Sequence, residues 1–232
     1  MAKHRFIRDE FDLSGDKLKI NDRRLVHQIS DVLRMDAGDT IGLCDGKYNE
    51  AEGVIRGIDK DEIIVELTNK FENNNEPELD VALFCSIVKN KNFDWIVEKA
   101  TEVGISEIVP IVSKRTVKTG LKPDRLNKKI REAAELSGRG SVPKLREKME
   151  LKQAFEIVPE GETGIFFDHS GQKIDSKESY ESSVSIFIGP EGGWSDAELK
   201  RAKDRDFKIR KLGQLNLRTE TAAVVGSYEV LN

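Results

Sequence analysis

The sequence holds only two cysteines, Cys44 and Cys85, each inside an apolar stretch. A disulfide framework is therefore not what stabilises the chain, and a thiolate zinc centre lacks its ligands. Histidine is nearly as scarce: His4, His27 and His169 show no ligand spacing, so no metal site is expected. No apolar run approaches the roughly 18 residues that cross a bilayer as a helix. The opening stretch MAKHRFIRDE has no apolar segment of the kind a secretory signal requires. What is present, 38% hydrophobic and 34% charged residues, suits a buried core under a solvated surface, and a cytoplasmic protein is expected.

The 232 residues leave one large or two modest domains open. The clearest break is Phe71-Glu72-Asn73-Asn74-Asn75-Glu76-Pro77-Glu78, polar and closed by a proline, which predicts a linker near 73–78 between domains at 1–72 and 79–232. The first part reads as short strands at Lys17–Ile20, Thr40–Cys44, Glu52–Ile58 and Glu62–Thr68, with one helix capped by Asp22. Strands of that number and length predict a small β-barrel. The second part alternates apolar runs (Val81–Val88, Ile105–Val112, Gly164–Phe167, Val184–Ile188, Phe207–Leu212) with helical patterns. One helix carries the stripe Phe93, Ile96, Val97, Ala100, Val103 and stops at Gly104; another opens on the capping box Ser195-Asp196-Ala197-Glu198. This alternation predicts an α/β domain with a parallel sheet covered on both faces.

Charge is unevenly spread. The net charge is −4, yet residues 111–150 hold 12 Lys/Arg against 5 acids, a local +7 that leaves −11 elsewhere. A basic segment on an acidic body marks a site for a polyanion, or else a solvated helix face.

Two loops follow predicted strands. Ile188-Gly189-Pro190-Glu191-Gly192-Gly193 can bring its backbone close to a ligand. It matches neither dinucleotide nor P-loop spacing, lacks lysine and carries Glu191, which favours a neutral or cationic ligand over a phosphate. In the second, Leu212 to Ala222, Arg218 and Glu220 flank a helix start with Thr219 and Thr221 offering cap oxygens. A tight turn and an ordinary cap would explain each loop alone. Together, at the carboxyl ends of strands, they form a ligand crevice. A nucleotide-dependent doubly wound enzyme and a non-catalytic RNA-binding module both remain open on these residues.

Four stretches, Lys99–Ile105, Glu132–Arg139, Ile188–Gly193 and Leu217–Ala222, together with Arg5-Phe6, His27 and Val32-Leu33-Arg34, resemble in order the ribosomal RNA small-subunit methyltransferase E family of the SPOUT superfamily. The resemblance implies a PUA-like N-terminal β-barrel and a C-terminal SPOUT α/β domain tied in a deep trefoil knot. It implies S-adenosyl-L-methionine as methyl donor and N3 of a uridine in 16S ribosomal RNA as acceptor, on naked RNA or within the small subunit. A homodimer with the site near its interface is implied as well. Carried over residue by residue, the cofactor would meet Phe167, Asp168, Ile188, Gly189, Pro190, Glu191, Gly192, Leu212, Gly213, Leu217, Arg218 and Thr221. RNA would meet Arg5, His27, Arg34, Lys89, Arg115 and Arg139, along with the basic segment. The chain departs from the family pattern at Leu136, at Gln214-Leu215 and at Gln28. Methyl transfer to uridine N3 requires the base to lose a proton, so Arg139 or Arg218 is expected to steady the uridine anion. Glu220 or Asp168 is expected to take the proton.

Overall fold

The computed structural model describes residues 4–117, 120–174, 179–180 and 183–232, apart from the side chain of Asn90. Lys118 of the basic segment and the first three residues lie outside them. Contacts divide the chain into two compact units, Met1–Glu76 with Ala134–Val142, and Pro77–Ala133 with Pro143–Asn232.

The first unit contains β1 (His4–Ile7), β2 (Lys17–Ile20), α1 (Arg23–His27, running into a π turn over Gln28–Val32), β3 (Thr40–Cys44), β4 (Asn49–Ile58) and β5 (Ile63–Glu72). Asp22 caps α1 as predicted, its side chain accepting from Arg24 N at 2.9 Å. The strands form one sheet in the order β1-β3-β4-β5-β2, parallel only between β1 and β3. Among the described residues no pairing joins β1 to β2, so the strand ladder does not show the expected closed barrel. Phe6, Leu25, Ile29, Ile41, Leu43, Ile55 and Ile63 fill its core.

Residues 134–142, expected in the second domain, pack instead in this unit, and polar groups hold them there. Arg5 donates Nε and Nη2 to the two carboxylate oxygens of Glu50 at 2.8 Å each. The same guanidinium reaches Ala134 O at 3.3 Å and Arg139 O at 2.5 Å. Asn73 Nδ2 donates to Glu50 Oε2 at 2.7 Å and to Gly138 O at 3.0 Å. Arg139, only 4% exposed, donates Nη2 to Glu76 Oε2 at 2.5 Å, and Ser141 N donates to Glu76 Oε1 at 3.2 Å. Glu135 Oε1 accepts from Ile7 N at 2.9 Å and from Arg8 Nη1 at 2.7 Å. The Asn-rich stretch therefore does not behave as a free linker through residue 76: Asn73 and Glu76 are members of a mostly buried hydrogen-bond network. Such a network is stabilising only while every member is satisfied.

Burial by itself would raise the Glu50 carboxyl, but the hydrogen bonds and charge of Arg5 and the amide of Asn73 outweigh it and hold the group below its ordinary value. A carboxyl lowered on folding adds stability that is complete above its unfolded value of about 4.3 and is lost as acid takes it through the lowered folded value. Glu50→Gln is therefore expected to flatten the acid side of the stability–pH curve below about pH 4.3, read by urea unfolding across pH 3 to 7. An unchanged slope would show that Glu50 gains nothing from Arg5.

The second unit begins with β6 (Asp80–Ser86), α2 (Asn90–Val103), β7 (Glu107–Val112) and α3 (Pro123–Ser137), whose last residues belong to the first unit. There follow β8 (Lys144–Leu145), β9 (Met149–Glu150), α4 (Leu151–Ile157), β10 (Thr163–Lys173), β11 (Ser183–Ile188), α5 (Asp196–Asp204), β12 (Lys208–Lys211) and α6 (Thr219–Leu231). The sheet runs β12-β10-β11-β6-β7-β8, with β9 also on β7, and every pair is parallel, as the alternation predicted. One face carries Phe84, Phe166 and Phe187 against Phe155 of α4, Trp194 and Phe207. Strand alternation turns the buried Leu83, Ile165, Ile186 and Ile188 to the other face, where α6 packs on α2, β6 and β11. Gly104 ends α2 in the left-handed region at φ 109°, where a Cβ would stand 2.5 Å from Pro77 Cγ. The Ser195–Glu198 capping box opens α5. β1, β8, β9 and α4 were not predicted.

Candidate ligand cleft

The strand order places β10 between β11 and β12, so the carboxyl ends of three adjacent parallel strands open onto one cleft. Its volume is about 380 Å³, within the range of small-molecule sites. Phe167 and Asp168 come from β10, Ile188 to Glu191 and Gly192 from the end of β11, and Leu212 and Leu217 from the loop after β12; all were predicted, and all line it. His169, Gly193, Trp194, Lys211, Leu215, Asn216, Thr219 and Ala222 complete the wall. Gly193, Leu215, Asn216, Thr219 and Ala222 lie within the two predicted loops without an individual assignment, and His169, Trp194 and Lys211 were not expected at a ligand.

Two hydrogen bonds hold the loops in place. Thr219 Oγ1, at the first position of α6, donates to Gly189 O at 2.9 Å, so the second loop is fastened to the first. Trp194 Nε1 donates to Phe167 O at 2.9 Å, which fastens the end of the first loop to β10. The indole also stacks near Phe166, with ring centroids 4.1 Å apart. Glycine suits position 189, because a Cβ would stand 3.0 Å from Trp194 Cε2, a tight contact that the indole or the loop would have to relieve. Gly226 is alike: a Cβ there would stand 3.0 Å from Phe167 Cε2, and its absence lets α6 lie close to the strand ends.

A second brace comes from the loop after β7. Arg115 donates Nη1 to Gly192 O at 2.7 Å and to Trp194 O at 3.0 Å. Beside it, Lys114 N donates to Glu198 Oε1 at 2.8 Å while Glu198 Oε2 accepts from Ser195 N and Oγ at 2.8 Å. Arg115, expected on RNA, thus engages the glycine loop.

Other expected positions fall elsewhere. Gly213, Arg218, Glu220 and Thr221 belong to the second loop and the start of α6 but do not line the cleft. Arg218 is exposed at the N-cap of α6. Glu220 makes no ion pair with it; its Oε1 accepts from Asn92 Nδ2 at 3.1 Å and its buried Oε2 has no partner. The carboxylate lies near Cys85, whose thiol is pushed up mainly by burial and then by Glu220 and Glu191. Arg139 is fixed on Glu76 and Arg5 on Glu50, which corrects their reading as open RNA contacts. His27, Arg34 and Lys89 are exposed, with His27 Nδ1 2.6 Å from Asp31 Oδ2.

The basic segment is spent largely on the protein itself: Arg125 pairs with Asp94, Lys129 with Glu98, Lys128 with Glu132, and Lys144 and Arg146 with Glu107. The alternative of a solvated helix face describes these residues better, with the addition that many of them are paired to acids of the same chain.

Chemically, the cleft offers apolar surface from Phe167, Ile188, Leu212, Leu215 and Leu217, main-chain groups of the glycine loop, and the acids Asp168 and Glu191 against one Lys211 and one His169. That lining lacks the clustered cations and lysine-bearing loop of a polyphosphate site. It suits a neutral or cationic ligand with apolar surface. Among the described residues no cluster could hold a metal ion.

A family model described as an RNA methyltransferase domain matches residues 75–227, and one described as an RNA methyltransferase PUA domain matches residues 29–68. The class is thus an RNA methyltransferase with a PUA domain ahead of it. Ribosomal RNA small subunit methyltransferase E of Bacillus subtilis is 30% identical over 215 residues, covering 85% of this chain and 83% of the relative. The protein of that name from Aquifex aeolicus is 34% identical over 179 residues, covering 73% and 76%. The chain belongs to the ribosomal RNA small subunit methyltransferase E family. Among solved structures, the Neisseria gonorrhoeae enzyme of that name bound to S-adenosyl methionine superposes with TM-score 0.88 at 26% identity, covering 97% of this chain and 94% of that one. A Legionella pneumophila methyltransferase in complex with the cofactor gives 0.88 and 26%, covering 98% and 96%.

Proposed function

We propose that this protein transfers a methyl group from S-adenosylmethionine to N3 of a uridine in 16S ribosomal RNA of the small subunit. The carrying observation is the cleft at three strand ends, closed by the Thr219–Gly189 bond and lined by acids and apolar side chains. The donor, when bound, supplies an activated methyl on a sulfonium. The main chain of Gly189–Gly192 and the leucines of the second loop would hold the donor, and Asp168 and Glu191 would favour its positive charge. The apolar wall excludes water, which raises the effect of every charge near the reacting base. Asp168, which lines the cleft, receives the uridine proton in preference to Glu220, whose free oxygen is buried outside the lining. Arg218, exposed beside the second loop, replaces Arg139 as the cation for the uridine oxygens, because Arg139 is committed to Glu76.

The finer architecture belongs to the same reading. The first unit is a PUA-like domain that presents His27 and Arg34 to RNA. The second is a SPOUT domain whose trefoil knot is supported by the path of the chain: after β12, outside β10, α6 returns to pack on β11 and β6. Trp95 of α2, Leu215 and Tyr228 of α6 stand exposed on this unit, which supports a homodimer that covers them. Among the described residues no helix is long and apolar enough to cross a membrane, which fits the cytoplasmic location we infer.

Labelled S-adenosylmethionine incubated with small ribosomal subunits from cells lacking the enzyme tests the reading, with the product mapped by mass spectrometry. Label on a uridine N3 is the expected result. RNA binding without transfer would favour a non-catalytic module, and thermal stabilisation by NAD or ATP in place of S-adenosylmethionine would favour a nucleotide enzyme. Arg115→Ala is expected to weaken S-adenosylmethionine binding about tenfold by freeing the carbonyls of Gly192 and Trp194, each bond contributing about 1 kcal/mol. Calorimetry measures this, and unchanged affinity would return Arg115 to the RNA contacts.

A further inference from the structure

Tyr48 occupies a position that local energetics disfavours. It lies in the turn between β3 and β4 at φ 71°, in the left-handed region where glycine or asparagine is cheap and an aromatic residue is strained. The main chain enforces this: Tyr48 N donates to Gly140 O at 3.1 Å, and Asn73 N donates to Tyr48 O at 2.7 Å. Gly140 makes room for the ring, since a Cβ at that position would stand 3.0 Å from Tyr48 Cδ1. The ring therefore rests on a main-chain floor, yet Tyr48 remains 45% exposed. Lys47 and Asn49 on either side are exposed too. A backbone held in an unfavourable conformation by two residues distant in sequence, Asn73 and Gly140, with an aromatic ring half in solvent, is not explained by the needs of the core.

We infer that Tyr48 is a stacking platform for an unpaired nucleobase of the RNA substrate, with Lys47 beside it for the adjoining phosphate. Single-stranded RNA is recognised largely by bases stacked on aromatic side chains, and a ring fixed on one side loses little freedom when a base covers the other. The inference rests on the RNA methyltransferase reading above. It adds a contact on the first unit that is separate from the cleft.

The test uses the full-length protein and an in vitro transcript of small-subunit ribosomal RNA. Affinity is measured by filter binding, and KM and kcat by label transfer. Tyr48→Asn removes the ring and suits the backbone better, so it is expected to leave the melting temperature equal or higher while raising Kd and KM for RNA about tenfold. S-Adenosylmethionine affinity and kcat should not change. Tyr48→Phe, which keeps the ring, should bind RNA as the unaltered protein does. A ring that merely covers the polar network would give the opposite pattern in Tyr48→Asn: a lower melting temperature with RNA affinity intact. Equal RNA affinity in Tyr48→Asn and the unaltered protein overturns the inference at any melting temperature. Failure of the unaltered protein itself to methylate RNA would instead overturn the functional reading.

Discussion

Arg139→Ala is expected to lose about 3–5 kcal/mol of stability in the first unit, because it strands the Glu76 carboxylate in a mostly buried site. For a unit of this size that corresponds to a fall in melting temperature of more than about 10 °C. The damage should be local, with hydrogen exchange quickening first at the main chain of β4 and β5 and in residues 134–142. S-Adenosylmethionine affinity, set by residues of the second unit, should stay close to normal at temperatures where the first unit is folded. The charge pair itself is not what the fold requires. Arg139→Met combined with Glu76→Leu fills a similar volume without a stranded charge and should recover most of the loss. A protein that melts normally after Arg139→Ala and has lost only methyl transfer would restore the role in catalysis first expected of this residue.

That expectation arose from what local sequence can and cannot express. Ser-Gly-Arg in a basic segment looks like a surface waiting for phosphate, since cations outnumber acids along that stretch. Its partner, Glu76, is 63 positions away in a stretch whose composition read as linker. The same distance effect governs Arg125 with Asp94, Lys129 with Glu98 and Arg146 with Glu107, all joined across elements. Charge counted along a chain says where cations are made, and only the fold says where they are spent. Features written within one turn were legible by contrast: the Asp22 cap, the Ser195–Glu198 box and the left-handed Gly104 all stand where predicted. The two ligand loops were legible because each follows its own strand. The bond from Thr219 to Gly189 was not, since it exists only once β10 separates β11 from β12 and α6 returns across them. Trp194 was hidden for the same reason, reading as the residue before a helix cap when its indole is the floor of the first loop.

The glycine loop should be least tolerant where its backbone meets that indole. Gly189→Ala would set a Cβ 3.0 Å from Trp194 Cε2 and 3.2 Å from Nε1. The indole cannot withdraw cheaply, for Nε1 is bonded to Phe167 O at 2.9 Å and the ring is held against Phe166. The loop must yield instead, at a cost of about 1–3 kcal/mol, and it carries with it the carbonyl that Thr219 holds. S-Adenosylmethionine affinity is expected to fall at least about tenfold, since 1.4 kcal/mol of misplacement is a factor of ten in binding. Gly192→Ala provides the contrast: its Cβ would stand 3.3 Å from Cβ and Cδ of Arg115, a looser approach than the 3.0 Å at Gly189 and against an aliphatic stem in place of a fixed indole. Calorimetric titration of the two variants should therefore rank Gly189→Ala well below Gly192→Ala. The reverse order would mean that the ligand, and not the indole beneath the loop, dictates which glycine the site needs.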